Sequence, residues 1–120
     1  LEPEEMLPAV GQAAIGITCR TDDAALCELL QAASDPATAR EVAAERAMLA
    51  VLDGSCRTPI AGFARHGAAG TLELVGLLAR PDGSQVITGS KRGAGSAADA
   101  IGRALGEALK TRAGPGFLSW

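Results

Sequence analysis

A change in hydrophobic periodicity between Leu52 and Ile60 constrains the fold of this chain more than any other feature. Before it, apolar residues such as Val42 and Leu49 recur at helical spacing. After it, apolar and polar residues alternate, which is typical of half-buried strands. Three alternating stretches with short connections predict an antiparallel meander. The predicted strands are Ile60–Arg65, Thr71–Ala79 and Ser84–Lys91.

Helix signals stand on both sides of these strands. Asp35 followed by Pro36 predicts a helix that runs to about Leu52, because a proline at the first helical position loses no hydrogen bond. Thr21 is predicted to cap a shorter helix before it, and Ser96 to begin a last helix through a capping-box variant. The predicted fold class is therefore α+β, with a three-stranded antiparallel sheet and helices packed on one face.

The start of the chain gives weaker signals. Residues 1–8 contain two prolines and several acidic residues, and we predict that they are irregular. The apolar run Val10–Cys19 carries Ile15 and Ile17 between small residues, which predicts a short buried strand.

The loop between the long helix and the first strand contains a cysteine, Cys56. Gly54 permits a sharp reversal, and Pro59 can begin a strand where its missing N–H disturbs the ladder least. We therefore expect Cys56 to lie at the tip of a turn. The neighbouring Arg57 favours its thiolate, whereas the negative end of the preceding helix opposes it. Taken alone, a cysteine in such a Gly/Ser turn is more often an unreactive thiol than a nucleophile.

Other polar residues support only structural interpretations. Glu45 and Arg46 fall on the margins of one helix face, which suggests a helix-packing ion pair or extended side chains rather than catalysis. His66 sits in a glycine-rich turn and is predicted to be solvated. Cys27 is predicted to be an incidental thiol. Asp53, Asp82 and Arg57 lie in turns and are not assigned to catalysis, and the segment 93–96 is predicted to be a linker, since no Gly-Lys-Ser/Thr follows it.

Composition excludes several functional classes. The net charge of −3 is built from interspersed acids and bases, so no basic stripe for nucleic acid is present. No apolar run is long enough to span a membrane, and we predict a cytoplasmic protein. Three cysteines without CxxC spacing and a single histidine argue against a disulfide framework and against a metal site.

Three motifs carry a resemblance to a known family. The run L-D-G-S-C-R-T-P-I-A-G-F-A over residues 52–64 resembles the cofactor-attachment loop of porphobilinogen deaminase, also called hydroxymethylbilane synthase. Residues 7–17 resemble the Gly-Gln-rich segment of that family, and Ala43 with Glu45-Arg46-Ala47 resembles the Glu-Arg-Ala stretch of the helix that precedes the cysteine. The motifs occur in the family's order and spacing. One departure is Ala13, which stands where the family usually has glycine and whose Cβ restricts positive φ.

The resemblance implies a function in tetrapyrrole (haem) biosynthesis. It implies a transferase that adds four porphobilinogen units, each with loss of ammonia, to a dipyrromethane cofactor and then releases hydroxymethylbilane by hydrolysis. Cys56 matches the residue that binds this cofactor through a thioether, and Gln12 would lie beside the bound pyrrole chain. No catalytic residue is assigned within the chain.

The resemblance also implies that the chain is a C-terminal fragment of a three-domain enzyme. Residues 1–20 would be the trailing segment of the first, cleft-forming domain, and would consist of an orphaned strand and a hinge. Residues 21–120 would be the cofactor-attachment domain. The missing N-terminal domains would be its partners, and the fragment alone is expected to be inactive. Ile15 and Ile17, without their sheet, are expected to drive strand-mediated self-association.

Two alternatives remain at this point. The chain could be a stand-alone α+β binding module in which Cys56 is an incidental surface cysteine. It could also be a redox protein built on Cys56, although no resolving cysteine lies near Cys56 in sequence.

Overall fold

The computed structural model describes residues 2–54 and 58–117. Within them, two long helices cover one face of a three-stranded antiparallel sheet in the strand order β1-β2-β3, which confirms the predicted α+β class and the meander. A shorter helix precedes this layer and buries none of its residues. Short 3₁₀ turns at Ala68–Gly70 and Gly95–Ala97 follow β1 and β3. The elements are α1 (Ala24–Ala33), α2 (Pro36–Val51), β1 (Ile60–His66), β2 (Thr71–Ala79), β3 (Val86–Ala94) and α3 (Ala98–Ala113).

The core lies between the sheet and the pair α2 and α3. Alternate residues of β2 are buried, so Leu72, Leu74 and Leu78 face the helices and exclude solvent completely. Met48 of α2 and Leu109 of α3 meet them and are also fully buried. With one aromatic side chain in the buried cluster, Phe117, the core depends on these aliphatic contacts.

A row of glycines crosses the middle of the sheet on its helix-facing side. Gly62 is paired with Gly76, and Gly76 with Gly89. A Cβ at Gly76 would lie 2.5 Å from Met48 Sδ and 3.0 Å from Leu109 Cδ1, and one at Gly62 would lie 2.6 Å from Met48 Cε. The row therefore leaves the space that the helix side chains occupy.

The two long helices also approach each other closely through glycine. A Cβ at Gly102 of α3 would overlap the carbonyl oxygen of Ala44 and lie 2.7 Å from Ala47 Cβ. One turn later, a Cβ at Gly106 would lie 3.0 Å from the Met48 carbonyl oxygen. The glycines thus set the distance between α2 and α3.

The start of α2 confirms the prediction, whereas the starts of the other helices do not. Asp35 caps α2 by accepting from the Thr38 hydroxyl at 2.6 Å and from the Thr38 N–H at 2.8 Å, and these two hydrogen bonds lower the pKa of Asp35. The cap of α1 is Asp23, which accepts from the Leu26 N–H, rather than Thr21. The predicted cap at Ser96 is wrong, because a 3₁₀ turn leads into α3 and no side chain caps it. The end of α3 at Gly114, with φ 71°, is as expected.

Other boundaries also differ from the predictions. Strands β1 and β3 run further than predicted, to His66 and Ala94, so residues 93 and 94 of the predicted linker belong to β3. Strand β3 begins at Val86 rather than Ser84, because Asp82 accepts from the Ser84 N–H and hydroxyl and holds Ser84 in the turn. The predicted strand Val10–Cys19 does not form. Its first residues make a turn, the remainder has no regular structure, and Ile15 is 93% exposed because no described strand pairs with it.

Candidate functional site

The cysteine loop is anchored at both ends by ordered structure. At the end of α2, Leu52 is buried and the Gly54 N–H donates to the Leu49 carbonyl at 3.1 Å. A Cβ at Gly54 would overlap Leu49 Cδ1 and lie 2.7 Å from Ile60 Cδ1, so a larger residue here would displace these two side chains. At the other end, the Ala79 N–H donates to the Pro59 carbonyl at 2.9 Å, which extends the sheet by one residue towards the loop. Cys56 itself, with residues 55 and 57, lies outside the described residues.

A cleft of about 430 Å³ opens beside these anchors. Asp53 and Thr58, on either side of the loop, line it together with Phe117 from the segment after α3. Lys110 is the one cationic residue among the described residues that line it, and its ammonium group donates to the Val51 carbonyl at 3.1 Å. The cleft therefore combines apolar lining with one basic residue, Lys110, and one acidic residue, Asp53, at the base of the loop.

The turn that contains Gln12 rests on the strand that follows the loop. The Gly62 N–H of β1 donates to the Pro8 carbonyl at 3.0 Å, and Val10 packs against the core. Gln12 is exposed, and its side-chain oxygen accepts from the Ala9 N–H at 3.1 Å, which closes the turn on itself. The fold thus brings the Gln12 turn and one anchor of the cysteine loop onto the same strand, β1.

Glu45 makes this docking possible, and sequence reasoning missed its role. It is only 6% exposed and forms no ion pair with Arg46. One carboxylate oxygen accepts from the Gly11 N–H at 2.6 Å, and the other accepts from the Ala64 N–H at 2.8 Å. Burial raises the pKa of Glu45, while the two N–H donors act in the opposite direction. A signal was present, because position 45 falls between Val42 and Leu49 on the apolar helix face.

A second carboxylate of α2 corrects the prediction for His66. Glu41 Oε1 accepts from the His66 N–H at 3.0 Å and lies 2.9 Å from its Nδ1, so this histidine is part-buried and paired rather than solvated. The other ring nitrogen of His66, Nε2, is buried without a hydrogen-bond partner in the described part of the chain. Glu41 thus connects the end of β1 to α2, and Glu45 connects the middle of β1 to the same helix through the Ala64 N–H.

Metal and membrane sites are not found in the described ranges. No group of three or more His, Cys, Asp or Glu side chains is placed to hold a metal ion in residues 2–54 and 58–117. Across the same residues, no helix has the length and apolar character needed to cross a bilayer.

Comparison with known proteins places the chain in a family. Residues 39–111 match the family model described as "Porphobilinogen deaminase, C-terminal domain". The chain is 49% identical over its whole length to the porphobilinogen deaminase of Paracoccus denitrificans, covering 38% of that protein, and 46% identical to the chloroplastic enzyme of Pisum sativum, covering 33% of it. It is 50% identical over 91% of its length to the porphobilinogen deaminase of Chromobacterium violaceum, covering 35% of it. The chain thus spans about a third of the length of these relatives. It belongs to the porphobilinogen deaminase family, and its residues correspond to the C-terminal part of that enzyme.

Proposed function

We propose that this chain is the cofactor-attachment region of a hydroxymethylbilane synthase and that Cys56 is the attachment residue. The observation that carries the proposal is the position of Cys56 in the short loop between α2 and β1, in a chain that belongs to the porphobilinogen deaminase family. A loop held by a buried helix end and by the sheet can present a nucleophile at a fixed position.

The surroundings of the loop are compatible with a dipyrromethane. The cleft at the loop anchors has a volume of about 430 Å³ and offers Lys110 as a counter-charge for a carboxylate. When bound, this cofactor supplies the pyrrole end to which the first porphobilinogen unit is added. Thioether attachment suits it, because a thiolate is a soft nucleophile and the resulting C–S bond resists the hydrolysis that releases the product.

The chain's own residues have distinct parts in this proposal. Cys56 would hold the cofactor covalently through its sulfur atom, and Gln12 presents a side-chain amide from the turn docked on β1. Glu45 positions that turn by accepting from the Gly11 N–H, without touching the cofactor. We assign acid–base catalysis, and the recognition of most substrate carboxylates, to the parts of the full-length enzyme that this chain does not cover.

Mass spectrometry of a full-length protein containing this chain tests the attachment. We expect the intact wild-type protein to carry the mass of a dipyrromethane adduct, located on the tryptic peptide that contains Cys56. Cys56→Ser should abolish both the adduct and hydroxymethylbilane synthesis, because a hydroxyl is a much weaker nucleophile at neutral pH. Cys27→Ser is the matched control and should keep the adduct.

Two results would contradict the proposal. Normal tetrapyrrole synthesis by Cys56→Ser would show that the attachment residue is elsewhere. A wild-type protein without adduct would favour the alternative of a binding module with an incidental cysteine.

The 120-residue chain alone is proposed to be inactive, with residues 1–20 acting as a hinge segment and residues 21–120 as the attachment domain. The contacts from Pro8 and Gly11 to β1 and α2 support a segment that rests on this domain. A single cation in the described part of the cleft is too few to clamp pyrroles that each carry two carboxylates. Hydroxymethylbilane formation by the purified chain would refute the expected inactivity.

We also propose that the exposed segment after Ala13 drives weak self-association. Ile15 and Ile17 are 93% and 67% exposed, and burying each stabilises an interface by roughly 1.5–3 kcal/mol. Sedimentation velocity over a range of concentrations should show association of the chain and not of a version that begins at Thr21. Identical behaviour of the two would show that this segment does not drive association.

A further inference from the structure

Cys19 and Cys27 lie side by side although they are eight positions apart in sequence. Their sulfur atoms are 3.5 Å apart, both thiols are free, and both side chains are partly exposed. A bond of about 2.05 Å requires the two atoms to move about 1.5 Å closer, which rotation about the side-chain bonds of two partly exposed residues can supply. The geometry thus differs from that of an incidental thiol, which is what the sequence predicts for Cys27.

The backbone between the two cysteines holds them together. A turn is closed by the Asp23 N–H, which donates to the Arg20 carbonyl at 3.3 Å. Asp23 then caps α1, and its carbonyl accepts from the Cys27 N–H at 2.9 Å. The Cys27 thiol also lies 3.6 Å from the Arg20 carbonyl oxygen. The turn and the start of α1 therefore bring the Cys27 side chain next to that of Cys19, which precedes the turn.

We propose that Cys19 and Cys27 are a site of reversible oxidation and form an intramolecular disulfide with small disulfide oxidants such as glutathione disulfide. One cysteine thiolate attacks a sulfur of the oxidant and releases one glutathione thiolate. The other cysteine then attacks the mixed disulfide and releases the second. The two cysteines lose two protons and two electrons, and one glutathione disulfide is reduced to two glutathione molecules.

The consequence concerns the segment before α1. This helix buries none of its residues, so few packing contacts hold it in place. The disulfide closes the ring from residue 19 to 27 and joins the helix covalently to the segment that carries the exposed Ile17. In the reduced state, the hydrogen bond with Cys27 raises the pKa of the Cys19 thiol, and burial adds to this effect.

The test compares disulfide formation in the folded and the unfolded chain. A Cys56→Ser variant of the 120-residue chain, which removes the third thiol, is equilibrated with mixtures of reduced and oxidised glutathione, with and without denaturing urea. After acid quenching, trypsin cleaves at Arg20 and Arg40 and separates the two cysteines onto peptides 1–20 and 21–40. Without reductant, only the Cys19–Cys27 disulfide keeps these peptides joined within a monomer.

We expect the equilibrium constant for this disulfide to be at least 10-fold larger in the folded chain than in urea, since the fold holds the sulfur atoms together. The matched control carries Leu26→Cys with Cys27→Ala, which moves the thiol by about 100° around α1. It should lose the folded-state enhancement. A ratio below 10 for the Cys19–Cys27 pair, an equal ratio in the control, or predominant pairing with Cys56 in the wild-type chain would overturn the proposal.

Discussion

Replacing Glu45 with alanine should separate the Gln12 turn from the sheet. The change removes the acceptor of two backbone donors, at 2.6 Å from Gly11 and at 2.8 Å from Ala64. The buried Ala64 N–H then lacks a partner, which costs about 1–3 kcal/mol, whereas the part-buried Gly11 N–H can reach water and loses less. Adding the lost packing, we expect the free energy of unfolding to fall by about 2–4 kcal/mol.

Urea denaturation measures this loss, and hydrogen exchange locates it. Exchange should accelerate at Gly11 and Ala64 before it does in β2, because these two amides lose their acceptor directly. Glu45→Gln should be milder, at about 1–2 kcal/mol, since its amide oxygen can still accept from one donor. Glu107→Ala, on the exposed face of α3, is the control and should change stability by no more than about 0.5 kcal/mol. A loss for Glu45→Ala no larger than that of the control would refute the reasoning.

The dependence of stability on pH gives an independent check on Glu45. Burial raises its pKa in the folded state above the ordinary value of 4.5. As pH rises from 4.5 through the folded-state pKa, the native chain holds more protons than the unfolded chain, so the free energy of unfolding falls. The stability advantage of wild type over Glu45→Gln should therefore be largest below pH 4.5 and shrink as pH rises, in paired denaturation curves. An advantage that grows with pH would show that the two N–H donors outweigh burial.

Two further substitutions test the backbone. Gly102→Ala gains about 1 kcal/mol of helix propensity but forces its Cβ against the carbonyl oxygen of Ala44, so we expect a net loss of at least about 1–2 kcal/mol in thermal or urea unfolding; a gain in stability would contradict the close helix contact. The exposed control, Ala104→Gly, should cost about 1 kcal/mol through propensity alone. Ala13 has φ 66°, which strains a residue with a Cβ. Ala13→Gly should relieve this strain, stabilise the turn and slow hydrogen exchange of the Ala14 N–H, which donates to the Gly11 carbonyl. Unchanged exchange would argue against this conformation.

Local signals in the sequence predicted the elements, while long-range partners escaped prediction. The Asp35 cap and the alternation in β2 depend on neighbours a few residues away, and both were predicted correctly. Glu45 and Glu41 accept hydrogen bonds from residues 19 to 34 positions away, which no local pattern contains. For the same reason the pairing of His66 was missed. The family motifs indicated the cysteine loop, but Cys56 lies outside the described residues, so its role stays a prediction.

The glycine row in the sheet has a consequence for how this domain can vary in sequence. Both Gly62 and Gly76 meet the side chain of Met48, so a methyl group at either glycine would displace that side chain. A double-mutant cycle between Gly76→Ala and Met48→Val should therefore show strong coupling, with the shorter side chain recovering part of the stability that alanine removes. Substitutions at positions 62 and 76 are therefore expected to depend on the residue at position 48, which contacts both strands.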